Sequence, residues 1–166
     1  MKMQLIQPFI SAADAVLAQS LNGPTTVADL SMEEEGYRRK GVAALIAIRG
    51  EIEGRVILDM DSATAMRVAT ALAGGEMEES DQVVHETVCE LANMVIGNAV
   101  VTLNDSGCQF KVYPPEIHTS EEAVRGSVET EAMAIYFETP AGRIYLNISM
   151  HYNLRRRPER DSVVAQ

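Results

Sequence analysis

Asp81-Gln82-Val83-Val84-His85-Glu86-Thr87-Val88-Cys89-Glu90-Leu91-Ala92-Asn93-Met94-Val95-Ile96-Gly97-Asn98-Ala99-Val100-Val101-Thr102-Leu103 is the longest periodic segment of the chain. With each residue turned about 100° from the last, Val84, Val88, Leu91, Val95 and Ala99 fall in one narrow stripe. That stripe predicts a helix over 80–104 with a buried face. Ser80 or Asp81 is placed to cap its start, and Ser106-Gly107 to stop it. Glu86, Glu90, Asn93 and Gly97 fall on the opposite face, within an arc of about 60°. This row is a poor choice for stability alone. Asn and Gly each cost roughly 0.5–1 kcal/mol against Ala in a helix interior. Glu86 and Glu90 are like charges one turn apart, with no Lys or Arg on the row. Such breaches of local rules gather at functional sites. Gly97 leaves a flat spot that another molecule's backbone could approach, and Met94 and Val101 flank the row with apolar contact for a partner. Read from the pattern alone, the row is equally a solvated face with an incidental Asn and a Gly for close packing.

Outward from this helix, residues 8–20 read as a first helix, with Pro8 in its first turn and Asn22-Gly23-Pro24 at its end. A strand is expected over 25–32, then a charged connection, Glu33-Glu34-Glu35-Gly36. Val42–Ile48 and Gly54–Met60 read as strands joined through 49–53 in an antiparallel hairpin. Ser62 is the expected N-cap of a helix over 63–73 that Gly74-Gly75 closes. After the long helix come a short strand at 108–113, the Pro114-Pro115 break and a loop to about 124. Strands at 126–138 and 142–151 flank the turn Thr139-Pro140-Ala141-Gly142. The order predicts a single α/β domain over 1–151, a sandwich of helices on a mixed, largely antiparallel sheet. Residues 152–166, with Arg155-Arg156-Arg157-Pro158, read as a flexible basic tail; a frayed terminus is the plain account, a nucleic-acid arm or a docking peptide the others.

Composition narrows the function classes. The 166 residues are 46% apolar, enough for a core, and contain no Trp. The formal net charge of -10 argues against nucleic-acid binding, which needs a basic footprint. Cys89 and Cys108 form no CxxC pair, and His85, His118 and His151 lack metal-ligand spacing, so no metal or redox role is expected. No signal peptide and no bilayer-spanning run is seen, so a soluble, cytoplasmic protein is expected. Phosphate-cradling and nucleophile-elbow motifs are absent from the sequence.

Glu90-Leu91-Ala92-Asn93, continued by Met94-Val95-Ile96-Gly97-Asn98-Ala99, resembles the ExxN active-site segment of the CheC/CheX/FliY phosphatases. The resemblance extends to Ile6–Leu17, to Ile48–Val56, to Ser62–Gly74, to Pro114-Pro115 and to Gly142–Ile148, so it covers about residues 3–150. A second ExxN is absent, which places the likeness in the CheX branch rather than with the two-site CheC type. Where the family often has Asp or Ser, four residues before the Glu, this chain has Glu86.

The resemblance implies a phosphatase for the aspartyl phosphate of a phosphorylated CheY-like response regulator. Asn93 would position the attacking water, and Glu90 would pair with the receiver lysine. As an exposed carboxylate, Glu90 is a poor general base at neutral pH. Glu86, Met94 and Gly97 would belong to the partner-binding surface. No cofactor is expected on this chain; Mg2+ would sit on the partner receiver domain. A homodimer joined through sheet edges is also implied, with no nucleic-acid or membrane partner. The alternative is a non-catalytic module of the same kind that binds a phosphorylated receiver without hydrolysing it.

Overall fold

The computed structural model describes residues 3–33, 40–75, 80–105, 107–119 and 132–153. In chain order the elements are α1 (Met3–Ser20), β1 (Thr26–Glu33), β2 (Val42–Gly50), β3 (Ile52–Met60), α2 (Ser62–Leu72) and α3 (Asp81–Asp105), followed by β4 (Phe110–Val112), β5 (Glu116–His118), β6 (Ala132–Thr139) and β7 (Gly142–Tyr152). The strands form one sheet in the order β1-β6-β7-β3-β2-β4, and β5 also pairs with β2. Every described strand pair is antiparallel. The class is α/β, as the element order predicts.

Period-two alternation decides which face of the sheet is covered. Ala44, Ile46 and Ile48 of β2, Val56, Leu58 and Met60 of β3, and Ile144, Leu146, Ile148 and Met150 of β7 point one way, and all are buried. They join Phe9 and Leu17 of α1, Val68 of α2, and Val88, Leu91, Val95 and Leu103 of α3 in one core. The three helices therefore pack on a single side of the sheet, with α3 against both α1 and α2. The other side carries a smaller apolar contact of Ala43, Leu45 and Ile57, beside buried polar groups. Arg55 Nη1 donates to Asn147 Oδ1 at 2.7 Å, and the Lys40 backbone N–H donates to Asp59 Oδ2 at 2.5 Å. Gly54, at φ 152°, is required where β3 meets β7: a Cβ there would lie 1.8 Å from the Ser149 carbonyl oxygen.

Several boundaries differ from the sequence-based expectations, each for a local reason. The first helix begins at Met3 rather than at 8, which puts Pro8 inside it. The missing N–H of Pro8 leaves one carbonyl, that of Gln4 at the exposed helix start, without its intrahelical bond. Burial of Leu5 and Ile6 ahead of Pro8 outweighs that loss. The N-cap of α2 is Asp61, not Ser62; its Oδ1 accepts from the Thr64 backbone N–H at 2.7 Å. The helix then runs over Ser62–Leu72 rather than 63–73, with Gly74 and Gly75 beyond it at positive φ. The stretch read as a loop after Pro114-Pro115 holds β5, whose three residues pair with Ala43–Leu45. Ser106, most of Glu33–Gly36, the rest of the loop to 124, the strand expected over 126–131 and the basic tail from 154 lie outside the described residues. Among the described residues no helix is long and apolar enough to cross a membrane.

Hydrogen bonds from the Thr64 backbone and then its hydroxyl hold the Asp61 carboxyl below its usual range. A folded-state pKa lower than the unfolded one gives stability that is present above the unfolded value and lost as pH falls through the folded one. Asp61→Ala is expected to cost about 1 kcal/mol at neutral pH. In urea unfolding, its difference from wild type should shrink as the solution is acidified below the carboxylate range. A difference independent of pH would contradict the cap.

Candidate active-site helix and its groove

Rotation of α3 about its own axis is set by its buried row. Val84, Val88, Leu91, Ala92, Val95, Ile96, Ala99 and Leu103 are all buried. Glu86, Glu90, Asn93, Met94 and Gly97 are consequently all exposed. Leu91-Ala92 and Val95-Ile96 lie in the core on either side of Asn93, so the backbone that carries Glu90 and Asn93 cannot roll. The structure thus brings the five predicted site residues onto one outward surface, with the carboxylate and the carboxamide a single turn apart.

Two details sharpen that surface. Gln82 Nε2 donates to Glu86 Oε1 at 3.1 Å, tying Glu86 one turn back along the helix. At Gly97 a Cβ would meet nothing within 4 Å. Close packing inside the fold therefore does not require this glycine, and that part of the plain-surface reading fails. Beside the polar row runs an apolar one. Val83, Met94 and Val101 fall within about 20° of each other around the helix and are 36%, 40% and 62% exposed, well above the core residues around them.

On the other flank the helix walls an open groove of about 550 Å3. From α3 it is lined by Gln82, Glu86, Glu90 and Asn93, with His85 and Cys89 deeper on the same side, and Ile117 of β5 faces them. No Lys or Arg is among these lining residues. Sequence reasoning missed Ile117 altogether, because β5 read as loop, and gave Gln82, His85 and Cys89 no place in the site. Their only signal was helical spacing from Glu86 and Glu90. Burial, and then the neighbouring Glu86 carboxylate, push the Cys89 thiol above its ordinary pKa, so it stays protonated at neutral pH. Among the described residues no three His, Cys, Asp or Glu side chains gather as a metal would require.

The family profile described as "Chemotaxis phosphatase CheX" matches residues 42–138. Among curated proteins, the CheY-P phosphatase CheX of Thermotoga maritima is 30% identical over 95 residues, 57% of this chain and 57% of the relative. The match thus spans little more than half of that relative's own length. Among solved structures, a chain of the CheX-CheY-BeF3-Mg+2 complex from Borrelia burgdorferi is 30% identical, with TM-score 0.69, over 88% of this chain and 97% of that one. A CheC-like superfamily protein from Shewanella sp. PV-4 is 23% identical, with TM-score 0.79, over 91% of this chain and 99% of that one, and it supports the fold alone.

Cys89 offers a direct readout of the groove's electrostatics. Its alkylation by N-ethylmaleimide, followed by peptide mass spectrometry as a function of pH, should show a midpoint above that of an unhindered thiol. Glu86→Gln should lower that midpoint. A midpoint at or below the ordinary thiol value in the wild type would contradict the arrangement.

Proposed function

The chain belongs to the Chemotaxis phosphatase CheX family, and from that premise we propose that it hydrolyses the aspartyl phosphate of a CheY-like response regulator. The observation that carries this reading is the exposed Glu90–Asn93 pair on a helix whose opposite face is locked in the core. The relative named CheY-P phosphatase CheX and the likeness to a chain of a CheX-CheY complex support the same class of substrate.

An acyl phosphate is already reactive, so its hydrolysis needs positioning more than covalent catalysis. The Asn93 carboxamide reaches beside the phosphoryl group. Its oxygen accepts a hydrogen bond from water and holds that water in line with the bond to be broken. Glu90 pairs with the receiver lysine next to the phosphoryl group and so fixes the docking angle. This chain brings no cofactor of its own; Mg2+ remains with the receiver. Glu86 keeps negative charge on the docking surface, and its hydrogen bond to Gln82 holds it off Glu90. Met94 and Gly97 complete the surface, one with apolar contact and the other with room for a backbone. The reading includes a homodimer built on a sheet edge and a cytoplasmic setting, where its receiver substrate would be found.

Loss of label from a radiophosphorylated receiver tests the proposal. Asn93→Ala should keep binding to the receiver and lose activity on the order of 100-fold, whereas Glu90→Ala should weaken both. Full activity in Asn93→Ala would remove that residue from the site, and binding without turnover in the wild type would leave the non-catalytic alternative. Gly97→Ala separates stability from docking. It should raise unfolding free energy by about 0.5–1 kcal/mol, because the helix gains a better former and nothing is displaced, and it should raise KM for the receiver. Unchanged KM in a stabilised variant would mean that no partner backbone comes close there.

A further inference from the structure

We propose that the groove between α3 and β5 seats an apolar side chain of the receiver, gripped between Cys89 and Ile117, so that β5 helps to decide which receiver binds. This rests on the phosphatase reading and extends it to residues that the carboxylate–carboxamide pair does not include.

Position is the first ground. Glu90 and Asn93 form part of the groove's lining, so a partner that brings a phosphoryl group to Asn93 must also cover the groove. One helix face is narrow, about 10–12 Å across with its side chains. A stable contact covers about 800 Å2 on each partner, so the footprint has to spread sideways, and among the described residues this groove adjoins Glu90 and Asn93 on that flank.

Chemistry is the second. Glu86, Glu90, Gln82 and Asn93 make a polar rim, and half-buried Cys89 and Ile117 supply the apolar part of an interior that they share with the half-buried His85 ring. That is how binding contacts are built, with apolar anchors shielded by a polar border. The Cys89 thiol, protonated at neutral pH, behaves there as a small hydrophobe. Charge points to the same occupant. Among the described residues that line the groove, the rim presents two carboxylates and no Lys or Arg, which suits a partner surface that has a basic residue next to an apolar one.

Rigidity is the third. Ile117 is opposite Ala44 in the register of β5 on β2 and packs against the main core. Cys89 lies between the core residues Val88 and Leu91. Neither wall has to be ordered when the partner arrives, which spares the entropy a loop would lose. On the far flank of the polar row lie Val83, Met94 and Val101, exposed along about 27 Å of helix. The reacting pair is thereby bracketed by apolar contact on both sides.

Steady-state dephosphorylation of a cognate receiver tests this with two variants. Ile117→Ala empties one wall, and Cys89→Leu fills the space without touching β5. Each should raise KM about tenfold with kcat held within about twofold, the reverse of the split expected for Asn93→Ala. Thermal unfolding of both variants identifies any loss that is only structural, and Cys89→Leu carries the test if Ile117→Ala is destabilised. In the wild type, the receiver loaded with BeF3– and Mg2+ should slow maleimide labelling of Cys89 and not that of Cys108. Turnover by the wild type with unaltered KM in both variants, or unaltered Cys89 labelling, overturns this inference and leaves the phosphatase reading standing. A wild type inert toward every receiver of the source genome overturns both.

Discussion

One helix with two incompatible sides organises this protein. The buried row of α3, from Val84 to Leu103, is held by the sheet beneath it and by α1 and α2 beside it. An α-helix cannot turn one residue without turning its neighbours, so seating Leu91 and Val95 in the core also aims Glu90 and Asn93 at solvent. The geometry of the outer pair is thus a by-product of burial. No hydrogen-bond network has to hold it, and among the described residues the side-chain hydrogen bond to the polar row is the one from Gln82 to Glu86. Fold and site share the same energy source, the removal of aliphatic surface from water.

How much of this could be read from the sequence depended on the length of the pattern. Helix α3 was legible because 25 residues give about seven turns over which two faces separate. With α3 placed, the row Glu86, Glu90, Asn93, Gly97 follows from spacing alone, although its chemistry came from likeness to a family and not from the pattern. The strands of the β2–β3 and β6–β7 hairpins were legible through alternation and turn residues. The start of α1 was misplaced because Pro8 is a good first-turn residue, and the rule for it gave way to burial of Leu5 and Ile6. Asp61 and Ser62 are adjacent and both cap well, so only the φ,ψ of the chain could choose between them.

What remained illegible needed three-dimensional pairing. Three residues, Glu116 to His118, cannot display a period. They are a strand because β2 offers them an edge, and only their register puts Ile117 across from Cys89. The same holds for the far face of the sheet. Arg55 and Asn147 meet through pairing of β3 with β7, and nothing in either strand's own composition announces a buried polar contact there. A groove between two elements distant in sequence is invisible until both are placed. The half of the site carried by one helix was therefore open to inspection, and the half completed by β5 was not.

The broken edge beside β2 has a consequence for the protein's behaviour in a crowded solution. β4 and β5 cover β2 as two pieces of three residues each, parted by Tyr113-Pro114-Pro115. Prolines offer no N–H, and pieces so short cannot template a foreign strand. Sheet extension by a misfolding neighbour is blocked on this flank. Among the described strands, the opposite flank, with its eight-residue β1, offers the longer edge for such recruitment.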